Sequence, residues 1–434
     1  MIVNSLSDVE KMADLKTSAE VSSESRGCRF CNQPLEHLVV DLGLSPLCQS
    51  QVERENLNRG EMFYPLRAYV CDQCLLVQVH EHVSGEEIFS HYAYFSSYSD
   101  SWLAHAKSYV EQITDRLKLD GESFVVEVAS NDGYLLKNFV EQNIPCLGVE
   151  PATNVAAEAT KKNVPVLNKF FGVDTANEVV STQGKADLIV ANNVLAHVPD
   201  LNDFVGGLKI VLAEKGTLTV EFPHLKNLIE LNQFDTIYQE HYCYFSALTL
   251  DKVFRHHGMQ IYDIDTIPTH GGSLRIYVKH LENHDLDVQP VVEKIIADEI
   301  SIGMDDVSSY SKIQDNANEV KYRLLEFLVD LKRNGKSICG YGAPGKGNTL
   351  LNFCGIREDL LPFTVDRNQF KQGSFLVGSR IPVYDPEMID RVQPDYILIL
   401  PWNLTDEIVK QLSHIKDWGG QFVVPIPELR VIQG

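Results

Sequence analysis

Glu240 and His241 stand side by side in YQEHYCYFS (Tyr238–Ser246), a run that also carries three tyrosines and a phenylalanine. An imidazole, with an ordinary pKa of about 6.5, accepts protons at neutral pH, and a neighbouring carboxylate can orient it or stabilise its charged form. Successive side chains on a strand point to opposite faces, so a direct Glu240–His241 bond requires a turn or bend. Taken alone, the stretch reads more simply as a satisfied histidine inside an aromatic patch. His197, in the loop of ANNVLAHVPD, is a second proton acceptor or a local structural residue. Tyr238, or Tyr92 of HYAYFSSYS, can donate to a developing oxyanion, and the HYAYFSSYS aromatics can equally be packing between domains.

Two other stretches place a glycine-containing turn between a strand and a helix, and their charges differ. In FVVEVASNDGYLL the strand ends in Glu127 and the turn carries Asn131, Asp132 and Gly133. CLGVEP then puts Glu150 at the end of the next strand, where an acid can grip both hydroxyls of a ribose. This acidic balance suits an adenosine ligand with a positive charge and no phosphate, which describes S-adenosylmethionine; the competing reading is an acid-capped turn. In GYGAPGKGN, around Gly342 and Ala343, the glycines permit close backbone approach and Lys346 adds a cation near a helix N-terminus, where a phosphate is favoured. Asp366 in PFTVDRN repeats the ribose-binding acid, and Lys371 follows. The glycine spacing is neither a Walker loop nor a full G-x-G-x-x-G, so a purely structural α/β unit competes with phosphate binding. THGGSLRIY reads as a strand entered through a glycine turn, or as one that offers Arg275 to a phosphate.

CRFC (Cys28, Cys31) and CDQC (Cys71, Cys74) are two C-x-x-C pairs among nine cysteines. Each pair on a tight turn can aim both thiolates at one ion, and two turns complete a tetrahedral zinc site. Such a closed site supports structure and leaves no position for chemistry; redox-active or incidental cysteines are the alternative. Cys48, between the pairs, reads as a buried apolar residue.

These groups need elements to hold them. Residues 27–84 hold the cysteine pairs around short strand-like pieces, a zinc-binding module, after an extension over 1–26. Over 85–284 apolar strands alternate with helical stretches, which predicts a doubly wound, Rossmann-like α/β unit with a parallel sheet. Residues 285–333 form a helical linker, with Tyr310, Ile313, Ala317, Val320, Leu324, Phe327 and Leu331 spaced three and four apart. A second alternating α/β unit fills 334–434. At 434 residues the chain is long for one core, consistent with several domains. A net charge of −22, without a basic cluster, argues against nucleic acid as a partner. No apolar run approaches the ~18 residues that span a bilayer, and the opening lacks the pattern of a signal peptide. A cytoplasmic enzyme without membrane contact is expected.

The order CxxC…CxxC, HYAYFSSYS, VEVASNDGYLL, ANNVLAHVPD, YQEHYCYFS, THGGSLRIY, GYGAPGKGN, VDRNQFKQG and LPWNL resembles that of the NDP-hexose C-methyltransferases. The resemblance runs from Cys28 to Pro427. It implies an enzyme that adds a branching methyl to a nucleotide-linked keto-sugar in deoxysugar biosynthesis, using S-adenosylmethionine and a structural zinc. By this resemblance Glu127, Asn131, Gly133, Glu150, Asn192 and Asn193 line the cofactor site. His197, Tyr238, Glu240 and His241, with Tyr92 or Tyr94, line the reaction centre. Lys346, Asn348, Asp366 and Lys371, on the turn of Gly342 and Ala343, contact the nucleotide. The family implies dTDP as the nucleotide and C3 of a 4-keto-6-deoxyhexose as the methylated carbon. An O- or N-methyltransferase of another small molecule is the rival enzyme, and a zinc-ribbon binding protein the rival of another class. Oligomeric state is left open.

Overall fold

The protein is described from a computed structural model covering residues 27–89, 96–98 and 100–433. The expected extension over 1–26, and Tyr92 and Tyr94, lie outside the described residues. The fold is mixed α/β. Its first layer is an antiparallel sheet of β1 (His37–Ser45), β3 (Tyr64–Val70) and β4 (Val77–Val79), with β2 (Gln51–Val52) set apart from it.

The central unit is a seven-stranded sheet of β5 (Val125–Val128), β6 (Cys146–Val149), β7 (Val166–Leu167), β8 (Ala186–Asn192), β9 (Leu212–Pro223), β11 (Met259–Ile267) and β12 (Ser273–His280). Its spatial order is β11-β12-β9-β8-β5-β6-β7; the strands from β9 to β7 run parallel, while β12 and β11 are antiparallel. Strand β5 is buried at every position, as expected for a parallel strand covered on both faces. Its two neighbours, β6 and β8, leave the sheet in opposite directions, which opens a crevice at the strands' carboxyl ends.

The C-terminal sheet repeats this plan with β13 (Ile338–Tyr341), β14 (Thr364–Val365), β16 (Val383–Tyr384), β17 (Tyr396–Ile399), β18 (Gln421–Val424) and β19 (Arg430–Gln433), in the order β16-β14-β13-β17-β18-β19. Helices Pro290–Ser301 and Lys312–Arg333 join the two units. The longer one buries Ile313, Ala317, Val320, Leu324, Leu328 and Leu331, so Leu328 takes the place in the stripe expected of Phe327. Phe327 instead meets Tyr396 edge-on, with ring centroids 5.6 Å apart.

Short strands stitch these parts together. β10 (Cys243–Tyr244), from the stretch that carries His241, pairs with β4 and completes the N-terminal sheet. β15 (Phe375–Leu376) pairs with β2. The buried Glu299 of the linker accepts His224 Nε2 at 2.6 Å and the amides of Ala247 and Leu248 at 2.7 and 2.8 Å, capping the helix that follows β10. No helix among the described residues is long and apolar enough to cross a membrane.

Candidate active site

The four Sγ atoms of Cys28, Cys31, Cys71 and Cys74 lie within 4.8 Å of one another. Zinc at ~2.3 Å from each of four thiolates would separate the sulfurs by about 3.8 Å, so the cluster fits a tetrahedral ion with little adjustment. Gln78 Nε2 donates to Cys28 Sγ at 3.2 Å, while its Oε1 accepts the Arg29 amide at 2.9 Å, the kind of outer support that holds a ligand thiolate. Cys48 stands apart and is buried, as expected.

A cavity of about 660 Å³ opens at the carboxyl ends of β5, β6 and β8 and is lined from all three parts of the molecule. At one end lie Asn131, Glu150, Asn192 and Asn193. Glu150 accepts the amides of Asn131 and Ala152, each at 2.9 Å. The backbone is held in the left-handed region at Ala129 (φ 55°), Asn131 (φ 50°) and Asn193 (φ 52°), strain of a kind that persists where a site is shaped for a ligand. The Asn193 amide is fixed on the Glu221 carbonyl at 2.7 Å. Buried Glu127 Oε2, Asn192 Oδ1 and both side-chain atoms of Asn193 find no hydrogen-bond partner among the described residues. Burial, with the charges of Glu150 and Asp132 adding to it, pushes the Glu127 carboxyl well above its usual range; burial raises Glu150 as well. Unmatched acceptors and crowded acids are stabilised by a cationic, hydroxyl-bearing guest, so these residues fit S-adenosylmethionine.

At the other end the amide of His241 donates to the Tyr238 carbonyl at 3.0 Å, closing a tight turn whose tip is Gln239–Glu240. The rings of Tyr238 and His241 lie 4.0 Å apart, and those of His197 and His241 4.7 Å apart. His241 Nδ1 sits 3.1 Å from the Thr236 carbonyl and His197 Nδ1 2.8 Å from that of Glu240. A carbonyl can only accept, so Nδ1 carries the proton on each ring and Nε2 is the basic nitrogen. Burial lowers the His197 imidazole to about 4 and drives His241 well below its usual value, with His197, His270 and Lys346 adding repulsion. Both rings are therefore neutral and able to accept a proton.

Three families match in series: "Putative zinc binding domain" over residues 28–89, "Methyltransferase domain" over 102–264 and "C-methyltransferase C-terminal domain" over 268–427. The C-methyltransferase NovU of Streptomyces niveus is 35% identical over 405 residues, 93% of this chain and 96% of that protein. The chain belongs to the C-methyltransferase family. Among solved structures, an S-adenosylmethionine-dependent methyltransferase of Anabaena variabilis has 17% identity and a TM-score of 0.32, covering 39% of this chain and 83% of its own. The magnesium protoporphyrin IX methyltransferase of Synechocystis has 14% identity and a TM-score of 0.32, covering 41% and 82%. This C-methyltransferase is an S-adenosylmethionine-dependent enzyme with a zinc-binding region at its N-terminal end.

Several expected site residues of the C-methyltransferase stand elsewhere. Arg275 is buried in β12, where it pairs with Glu221 at 2.9 Å and lies over the Tyr109 ring at 4.4 Å, so it is committed within the sheet and is not a phosphate contact. Glu240 does not bond His241: it is buried against the Gln49 amide, outside the cavity lining, and only its backbone carbonyl serves the site, through His197. Gly133 shapes its turn without lining the cavity; a Cβ there would come within 3.0 Å of Val164. Asn348 is buried and donates to the Cys48 carbonyl at 2.6 Å. Asp366 and Lys371 are engaged by Ala343, whose amide donates to Asp366 at 2.7 Å and whose carbonyl accepts Lys371 at 2.8 Å. Gly342 (φ 89°) packs on Pro401, where a Cβ would come within 2.5 Å, and neither it nor Ala343 lines the cavity. Lys346 does line it, beside the histidines.

Other lining residues escaped the sequence. His270, in the left-handed region at φ 55° and lowered to about 4 by burial, meets Trp102 edge-on at 5.2 Å. Gln49 arrives from the zinc-binding region. The Gly271–Gly272 pair that follows it, the mark of a tight turn, was the available signal for His270. Gln49 carried none, because only tertiary packing brings it there.

Proposed function

We propose that this C-methyltransferase methylates C3 of a nucleotide-linked 4-keto-6-deoxyhexose, with dTDP as the nucleotide, in the cytoplasm. The observation that carries the reading is His241, a neutral imidazole tethered through Nδ1 to the Thr236 carbonyl and lining the same cavity as the acid-rich cofactor end. Carbon becomes a nucleophile only after losing a proton next to a carbonyl, and C3 is one of the two such carbons in a 4-keto sugar. A fixed base is what that chemistry needs.

In this reading His241 Nε2 takes the C3 proton. Tyr238, against the same ring, and Tyr92 of the aromatic segment are hydroxyl donors for the substrate, and His197 is next in line for the proton. Glu127, Asn131, Glu150, Asn192 and Asn193 hold S-adenosylmethionine, which when bound supplies an electrophilic methyl on a sulfonium. Burial that keeps His241 neutral also makes its imidazolium unfavourable, so proton transfer depends on negative charge appearing beside it. A keto-sugar provides that charge as its enolate.

The test is deuterium uptake at C3 of dTDP-4-keto-6-deoxyhexose in heavy water without cofactor, followed by NMR. Uptake is expected with the unmodified enzyme and should fall by about two to four orders of magnitude in His241→Ala. Full exchange and turnover in that variant would exclude His241 as the base; exchange retained there but lost in His197→Ala would transfer the role to His197.

A further inference from the structure

Enolisation creates charge on the C4 oxygen as well as at the base, and His241 cannot be the group that answers both. When the C3–H bond breaks, its proton goes to His241 Nε2, its electron pair forms the C3–C4 double bond, and the carbonyl π pair moves onto oxygen. A buried site needs fixed hydrogen-bond donors or a positive group aimed at that oxygen.

We propose that Lys346 is this group: a catalytic residue whose ammonium receives the enolate charge on the C4 oxygen, and not a contact to the nucleotide's phosphate. The inference rests on the keto-sugar reading above. Lys346 lines the cavity together with Tyr238, His241 and His270. It and His241 are supported by adjacent residues of one turn. The Thr236 carbonyl holds His241, while Asp235 Oδ2 accepts Trp402 Nε1 at 2.8 Å, and the Trp402 ring lies 4.3 Å beneath Lys346 Nζ. The ammonium also donates to Asn403 Oδ1 at 2.8 Å. One turn therefore fixes the base and the cation relative to each other.

The charge on Lys346 is incompletely matched. Among the described residues no carboxylate oxygen lies within the 4.0 Å of an ion pair, and one donated hydrogen bond leaves two of its three protons for a ligand. Burial lowers the ammonium to about 8 even though the Asp235 charge opposes the fall. A cation that is poorly compensated at rest gains most when an anion forms next to it, which is how a group accelerates a reaction instead of only tightening binding. The phosphate-type features of the same turn are already engaged, Asp366 and Lys371 by Ala343 and Asn348 by Cys48. Lys346 is the member of that set that reaches the reaction centre.

The experiment uses the full-length, zinc-loaded enzyme with Lys346→Met and Lys346→Arg, reading C3 deuterium uptake, kcat, KM and the Kd for dTDP. With Lys346 on the enolate oxygen, the methionine variant loses exchange and kcat at saturating substrate by about a hundredfold to a thousandfold. Its dTDP affinity stays within about twofold, and the arginine variant recovers part of the exchange. A methionine variant that keeps exchange at saturation but binds dTDP more weakly overturns the proposal and leaves the keto-sugar reading intact. Absence of exchange in the unmodified enzyme, with methylation on oxygen instead, overturns both. If the methionine variant does not fold, Lys346→Gln carries the same comparison, with S-adenosylhomocysteine binding as the check on its integrity.

Discussion

The seven-stranded and six-stranded sheets share one plan, a first strand flanked on both sides by later parallel strands, yet they use the resulting crevice in opposite ways. Beside β5 the acid at the end of the second strand, Glu150, faces the cavity, and its neighbours Asn192 and Asn193 keep polar atoms without partners among the described residues. Beside β13 the matching acid, Asp366, accepts two amides much as Glu150 does, those of Ala343 and Asn368 at 2.7 and 2.8 Å, but it does not line the cavity. Helix Gly345–Cys354 is tied down by Asn348 on the Cys48 carbonyl. One unit is open to a ligand and the other is a buttress that delivers Lys346 into its neighbour's cavity. The same arrangement of strand, turn and acid thus marks a candidate binding site only where the acid faces an open cavity.

The largest test of this contrast is metal removal. The zinc-binding region supplies β4 to β10, β2 to β15 and the Cys48 carbonyl to Asn348, so it braces the buttress and the His241 turn. Stripping zinc with a chelator should release that region, since ligand thiolates without their ion lose the energy that folds them. Turnover should then collapse while S-adenosylhomocysteine still binds by calorimetry; parallel loss of binding would show that the open unit depends on the buttress. Next in size, Glu150→Gln should weaken cofactor binding by about tenfold, as charge-assisted bonds to a ribose become ordinary ones. Asp366→Ala should leave that affinity unchanged and lower Tm, because a buried amide loses its acceptor at a cost of about 1–3 kcal/mol. A fall in cofactor or dTDP affinity there, with Tm unchanged, would make Asp366 a ligand contact.

The smallest effect is pH-dependent. Burial raises the Glu240 carboxyl to about 8, against the opposing Gln49 amide. A folded value above the unfolded one, ~4.3, means its stabilising contribution is full below that pH and is lost as pH rises through the folded value. Glu240→Gln keeps an acceptor for Gln49 and removes the ionisation. Its Tm should therefore exceed that of the unmodified protein at about pH 8.5 and match it near about pH 4.5. A constant difference across that range would mean Glu240 does not titrate in the folded protein.

The sequence made the α/β units, the linker stripe and the cysteine site readable because each is a local repeat: apolar strand runs, helical spacing, C-x-x-C pairs. The end of the cavity that carries Asn131 and Glu150 was readable for the same reason, since both follow strand ends fixed by those patterns. The reaction end was readable only in part. Adjacency suggested that Glu240 serves His241, but a tight turn sends its carboxyl to Gln49, and the tether of His241 is a backbone carbonyl five residues earlier, which no side-chain pattern records. Arg275 looked like a phosphate ligand because its partner, Glu221, lies on a different strand and only sheet register brings the two together.

The most direct test of the account is where the methyl goes. The enzyme should be incubated with S-adenosylmethionine carrying carbon-13 in its methyl group and with dTDP-4-keto-6-deoxyhexose, and the product examined by NMR. The expected product carries a labelled methyl bonded to C3, with the C3 proton gone. A label on an oxygen, with the C3 proton retained, would contradict it.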